Sequence, residues 1–393
     1  MIINTNVSAL FAENAVNTTT NSLSTLEQEM STGYQINSPG NNPAGLAIST
    51  LMSGELGGIN ASVNNANQAL NLLDTANGGI QNDVQIVTQV QQLATQASNS
   101  TETTQDQQDL QNQIDKLLNQ LDNNANSVNY NNQTLLNGNF GATLNNATST
   151  GVAITLGADS GNASGSYSVS IQYNSTSNDA VVTLYTSTAS NADALVGTAT
   201  VANITTASST APVTAQFVLG TANDLNSTGS NASFVVNFTP SDFSTSSALS
   251  FSVAAATNPL SFQVGPNDQP ADQVTTNLGS FTSLSLGLSN INVVGSQNGT
   301  QNASYGITLA NNALSMLTNA QGQIGAQQDQ LNYTIENLNT ENTNLQAAQS
   351  TIMDANMAQV TSSFAKEQIL QQTGLQALAS ANSLPGMVLK ILG

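Results

Sequence analysis

An apolar residue returns at every seventh position along the last third of this chain, at Leu317, Ile324, Leu331, Leu338, Leu345 and Ile352. That spacing keeps one side of a helix apolar over many turns, and such a side must be covered by other helices. The same constraint acts near the other end. Leu73, Ile80 and Val87 form one row beside Leu70 and Val84; after a polar break, Leu110, Ile114, Leu117, Leu121 and Val128 form another. Between these helical ends, residues 145–287 turn to Ser, Thr, Ala, Asn and Gly with short alternating apolar runs. A chain whose helical ends need partners across a β-rich insertion reads as a building block of an assembly.

Composition removes most catalytic classes. Histidine, cysteine and tryptophan are absent from the 393 residues, and the only bases are Lys116, Lys366 and Lys390. Without His or Cys there is no imidazole acid/base pair, no His-dependent triad, no Cys/His zinc site and no disulfide. Without clustered bases, nucleic-acid phosphates go unneutralised. The net charge is −20, yet charged residues make up 7% of the chain against roughly 25% in an ordinary domain. The imbalance therefore comes from missing bases. In strong acid, with carboxylates protonated, an ordinary chain of this length with half its charged residues basic carries about fifty positive charges; this one carries about four. We expect an exposed protein that works in acid, the alternative being a drift to uncharged residues on a glycan-coated surface. Sequons at Asn162, Asn174, Asn226, Asn231 and Asn237 mark a candidate glycoprotein surface, although Asn, Ser and Thr are so common here that chance explains most of them. The first ten residues hold no secretory signal, and no run of about eighteen apolar residues occurs, so neither a cleaved leader nor a membrane-spanning helix is expected.

Local signals divide the chain. Residues 8–32 read as a helix stopped by Gly33; Ile36 to Pro43, with two prolines, a glycine and three asparagines, reads as a structured loop. A short helix over 44–56, weakened by Gly54, Gly57 and Gly58, precedes a long helix over 60–98 and another over 104–129 with Asp106 and Asp109 in its first turn. Asn137-Gly138 is a turn signal. Strands are expected over 152–156, 167–173, 181–185, 217–219, 234–238, 249–253 and 260–264, in antiparallel sandwich or barrel modules.

Specific stretches carry a resemblance. Ile3-Asn4-Thr5-Asn6-Val7-Ser8-Ala9-Leu10, Ile36-Asn37-Ser38 and Pro43-Ala44-Gly45-Leu46-Ala47-Ile48-Ser49 at one end closely resemble the start of bacterial flagellin. Ala326-Gln327-Gln328-Asp329-Gln330-Leu331, Ile352-Met353-Asp354-Ala355-Asn356-Met357-Ala358, Ile369-Leu370-Gln371-Gln372 and Ala381-Asn382-Ser383-Leu384-Pro385 look like its carboxyl-terminal arm, and Gly287-Leu288-Ser289-Asn290-Ile291-Asn292-Val293 like the return into it. The resemblance covers roughly residues 1–140 and 284–393. It implies a mainly α fold with a β insertion. Discontinuous terminal helical arms form a coiled-coil inner domain from 1–40 with 350–393, an outer helical shell comes from 41–140 with 288–349, and 141–287 form β-rich, variable outer domains.

The resemblance also implies a role. Flagellin is exported unfolded through the flagellar type III apparatus with an export chaperone, and polymerises helically beneath a cap into an extracellular filament for swimming, next to hook-associated proteins. Neither an enzyme nor a cofactor, metal or catalytic residue is expected. The expected assembly interface is Leu10, Leu23, Leu26, Met30, Ile36, Leu46, Ile352, Ile369, Leu370, Leu375, Leu384, Val388, Leu389 and Leu392. Alone these short apolar faces fall short of a core, whereas assembled they bury one another. Polar Gln321, Asn342 and Gln349 on the seam are expected to fix register. Two departures stand out. The loop after Ile36 lacks the family's usual charges, so neutral hydrogen bonds must replace any salt bridge. Gln89, Gln91, Gln92 and Leu93 stand where many flagellins present Arg and Glu to an animal Toll-like receptor, so that recognition should be weak. Glu336 with Glu341, or Asp268 with Asp272, are read as solvated or turn acids, lacking the other ligands of a calcium loop. Two other functional classes remain, a hook-filament junction protein and a binding or adhesion domain displayed on the filament.

Overall fold

The structure, a computed structural model, describes residues 6–141, 143–145, 148–149, 152–156, 165–174, 179–186, 194–201, 213–219, 232–238, 247–254, 259–295 and 299–392. The chain forms two compact units, a terminal unit of Met1–Val63 with Glu336–Gly393 and a central unit of Asn64–Ile335.

In the terminal unit, α1 (Val7–Thr32) begins where the Asn6 side chain accepts the Ala9 amide at 3.2 Å and ends at Gly33, whose φ of 75° suits glycine. It lies antiparallel to α5 (Met357–Leu392). The pair is tied at one end by Asn6 Nδ2 donating to the Ala381 carbonyl at 2.7 Å. At the other, Gln35 N donates to Met353 O and Ala355 N to Gly33 O, both at 2.8 Å, around a Tyr34–Asp354 bridge. The loop between α1 and α2 (Pro43–Ala97) is built from neutral groups: Asn41 Oδ1 accepts from Ser38 N (2.8 Å) and Ser38 Oγ (2.7 Å), and Asn37 Nδ2 donates to Tyr34 O (2.6 Å). Asn42 then caps α2 by accepting the Gly45 amide at 2.9 Å, with Pro43 opening the helix. α2 is continuous, so the interruption expected around Gly57 and Gly58 does not occur. A Cβ on Gly54 or Gly57 would meet nothing, so these glycines sit on an open face where they cost helix propensity of about 1 kcal/mol each without breaking the ladder.

The central unit packs α2, α3 (Thr104–Ser127) and α4 (Gly299–Met353) around one apolar cluster. α3 opens with a capping box in which Thr103 N reaches Asp106 Oδ2 at 3.0 Å and Asp106 N reaches Thr103 Oγ1 at 3.3 Å. Its buried row is Leu110, Ile114, Leu118, Leu121 and Ala125. Leu117 and Val128, expected on that row, are only partly buried and pack at its edge. From α2 come Leu73, Ile80 and Val87, and from α4 Leu317, Ile324 and Leu331, all buried. A short hairpin, β1 (Asn129–Tyr130) with β2 (Gln133–Thr134), turns through Asn131 and Asn132 at positive φ and leads into buried Leu135 and Leu136.

The strands of the insertion are β3 (Thr143–Asn145), β4 (Thr148–Ser149), β5 (Val152–Leu156), β6 (Gly165–Asn174), β7 (Asp179–Thr186), β8 (Ala194–Val201), β9 (Val213–Leu219), β10 (Ala232–Phe238) and β11 (Ser247–Ala254). They form two antiparallel sheets, in the orders β4-β5-β10-β9 and β3-β11-β6-β7-β8. Register places Leu249, Val169 and Leu184 in one cross-strand row. β8 has no counterpart among the expected strands. Asn174 and Asn237 end or lie within strands, whereas Asn162, Asn226 and Asn231 lie outside the described residues.

A last hairpin, β12 (Leu260–Gln263) with β13 (Gln273–Thr276), joins the helical cluster through Leu260, Val264 and Val274. The return strand of chain follows it there through Leu278, Phe281, Leu286, Leu288, Ile291 and Val293. This segment, read from sequence as outer β region up to Gly287, is thus part of the helical core.

Candidate assembly surface

The terminal unit buries few of its large apolar side chains. Among the described residues, Val7, Leu10, Phe11, Tyr34, Ile48, Leu51, Met357, Ile369, Leu370 and Leu375 are exposed, against only Leu284 and Tyr333 in the central unit. Among its described residues the buried apolar ones are Ala9, Ile36, Ile59, Leu338, Val360 and Ala381. Val7, Leu10 and Phe11 stand at the i, i+3 and i+4 positions of α1, and Ile369 with Leu370 continues an exposed apolar row on α5. Two antiparallel helices that touch along one side and leave apolar groups on the others present a candidate docking surface.

The expected interface residues fall into four sets. Leu10 (55% exposed), Ile369 (62%), Leu370 (43%) and Leu375 (52%) lie open. Leu23, Leu26, Met30, Leu46 and Ile352 are half-buried; Leu46 lines a shallow groove with Ser49, Ser53, Gln349 and Met353, and the Ile352 carbonyl accepts Gln35 Nε2 at 2.9 Å. Ile36 must be reassigned. It is 3% exposed and sits where a Cβ on Gly45 would come within 2.7 Å of its Cδ1, so it plugs the loop inside the unit and presents no face to a neighbour. Leu384, Val388, Leu389 and Leu392 belong to α5, but their side chains lie outside the described residues. Val7, Phe11, Tyr34, Ile48, Leu51 and Met357 complete the exposed set and lie outside the expected residues; the signal available was their size and their place beside Leu10, Leu46 and Ile352 in the sequence.

Within the terminal unit, recognition between helices is by amides. Asn342 Nδ2 donates to Asn60 Oδ1 at 3.0 Å, Gln349 Nε2 reaches Ser49 Oγ at 3.3 Å and Ser53 Oγ at 2.5 Å, and Gln371 Nε2 reaches Thr20 Oγ1 at 3.2 Å. The polar seam positions Asn342 and Gln349 thus hold α2 and α4 in register. In the central unit, Gln89 and Gln92 are exposed, Leu93 packs on the core, and Gln91 Nε2 donates to Asn311 Oδ1 at 2.5 Å. Gln91 is therefore engaged by the chain's own α4.

The remaining carboxylates behave as structure. Asp272 accepts the Asn267 amide at 3.2 Å and closes the 264–272 loop, Glu336 and Glu341 are exposed on α4, and no group of three potential metal ligands occurs among the described residues. Asp83 differs. It is fully buried between α2 and α3, and burial pushes its carboxyl up from 3.8 to about 7, with the Asn124 hydrogen bond opposing and the Asp122 charge adding to the rise. It stands three residues after Ile80 and four before Val87, on the apolar stripe of α2, which was the sequence signal for it.

No described helix is long and apolar enough to cross a membrane. Residues 3–141 match the bacterial flagellin N-terminal helical region and residues 307–392 the bacterial flagellin C-terminal helical region. The B-type flagellin of Pseudomonas aeruginosa is 32% identical over 143 residues, an alignment spanning 36% of this chain and 29% of that relative. Polar flagellin C of Vibrio parahaemolyticus is 28% identical over 397 residues, covering 99% of both. Among solved structures, a flagellar hook associated protein-3 from Legionella pneumophila aligns with 77% of this chain and 98% of its own at 16% identity and a TM-score of 0.37. Two matched helical regions, in order and at both ends, together with a full-length relative, place this chain in the bacterial flagellin family.

Proposed function

We propose that the chain is the structural subunit of an extracellular bacterial flagellar filament, and that it is no enzyme. The carrying observation is the concentration of exposed apolar side chains on α1 and α5, the elements that this reading puts in the filament interior. In this reading residues 1–40 with 350–393 form the inner coiled coil, 41–140 with 260–349 the outer helical shell, and the β-rich insertion between 140 and 260 projects outward. The reading includes export through the type III route with a chaperone, growth under a cap and contact with hook-associated proteins, and family membership supports it. Weak activation of a Toll-like receptor by monomer follows from the uncharged Gln89–Leu93 stretch.

The test is seeded growth of the purified full chain, followed by electron microscopy. Long filaments are expected, and Leu10→Asp with Ile369→Asp should slow elongation at least tenfold, since each places a carboxylate in a closing apolar contact. Short stubs that never elongate would instead identify a junction protein.

A further inference from the structure

We infer that Asp83 is a built-in pH sensor of the central unit: the site between α2 and α3 accommodates a neutral carboxyl, so the helical core tightens on acidification and loosens as Asp83 ionises. This goes beyond the filament reading and does not depend on assembly.

The geometry is one-sided. Asp83 is 0% exposed; its Oδ1 accepts Asn124 Nδ2 at 2.7 Å, and its Oδ2 has no hydrogen-bond partner among the described residues. Asn124 Nδ2 is shared with the Gly79 carbonyl at 2.9 Å, so a single amide group serves two acceptors. An ionised carboxylate here has two oxygens to satisfy and only half of one donor group.

The surroundings offer no compensating charge. On α3 the neighbouring charge is Asp122, of the same sign, held by Ser283 N at 2.6 Å and Ser283 Oγ at 2.9 Å; the only base on that helix, Lys116, is exposed and lies over a turn away from Asp122. α2 adds Glu55 and Asp74 and no base. α4 contributes only the phenol of Tyr305 before Asp329, β1 only Tyr130, and residues 273–298 no charged group. Burial without a counter-ion penalises the charged form, and Asp122 deepens the penalty.

The sign follows. The folded carboxyl titrates near 7 and the unfolded one near 3.8, so the folded state holds an extra proton between them. Stability is full below the unfolded value and is lost as pH rises through the folded one.

Thermal unfolding of the full-length monomer at pH 4.5 and pH 8, for wild type and Asp83→Asn, measures this. The wild type should melt on the order of 10 °C lower at pH 8 than at pH 4.5, and Asp83→Asn should lose most of that difference. An identical pH dependence in both chains overturns the inference. Infrared titration of the wild type supplies a second readout even if the variant does not fold. A protonated carboxyl band persisting at pH 6 and vanishing above pH 8 supports the assignment, and its absence at pH 6 contradicts it.

Discussion

At Gly374 the two terminal helices approach closely, because a Cβ there would lie 2.8 Å from Cγ2 of Val16. Two effects compete in Gly374→Ala. Helix propensity improves by about 1 kcal/mol, whereas crowding a β-branched side chain with little rotamer freedom costs about 1–3 kcal/mol. The second should win, so Gly374→Ala is expected to lower the melting temperature of the terminal helices and to slow seeded elongation; unchanged elongation would show that Val16 yields freely. Asp106 and Asp83 illustrate opposite signs of the same chemistry. The Thr103 hydrogen bonds hold the Asp106 carboxyl below its ordinary value, so its contribution is present above the unfolded pKa and fades as pH falls through the folded one. Asp83 runs the other way, and its displacement from 3.8 to about 7 corresponds to about 4 kcal/mol. Since Asp106 is fully exposed, the buried group should dominate. Hydrogen exchange at pH 4, still above the range in which Asp106 loses its charge, should therefore show an intact start of α3 beside increased protection where α2 meets α3.

At the scale of elements, long-period patterns were the most legible. The heptad row of α4 is buried from Leu317 to Leu338, the stop at Gly33 is where its glycine placed it, and the strand around Tyr167 to Tyr173 was plain from alternation. What failed has local causes. β8 reads Ala-Leu-Val-Gly-Thr-Ala-Thr-Val, in which small residues hide the period and Gly197 pairs with Leu184 beside a break in register. Gly54 and Gly57 were over-weighted, because an exposed glycine weakens a helix without ending it. Ile36 was assigned to the interface since sequence shows that a residue is apolar but not what covers it; Asp83 went unnoticed since its burial depends on α3. Amide registration makes a prediction of its own. Gln349→Leu should raise the thermal stability of the terminal unit by about 1 kcal/mol while releasing its hold on Ser49 and Ser53. Size-exclusion chromatography should then show off-pathway oligomers; a monomeric variant that elongates normally would show that register is set elsewhere.

For the whole molecule, the lack of bases and the shortage of buried apolar groups in the terminal unit belong to one account. We propose that a subunit stacked closely on copies of itself avoids self-repulsion at low pH, where its carboxylates neutralise and only three lysines remain charged beside the amino terminus. Filaments are therefore expected to remain intact at pH 3 by electron microscopy; dissociation there, with stability at neutrality, would refute acid adaptation. The central claim is that α1 and α5 are completed by neighbouring copies. Hydrogen exchange read by mass spectrometry before and after seeded assembly tests it most directly. The account predicts weak protection of α1 and α5 in the monomer, rising at least a hundredfold in the filament while the core around Leu73, Ile114 and Leu317 changes little. Equal protection of both units in the monomer, or filaments in which the two helices stay unprotected, would contradict it.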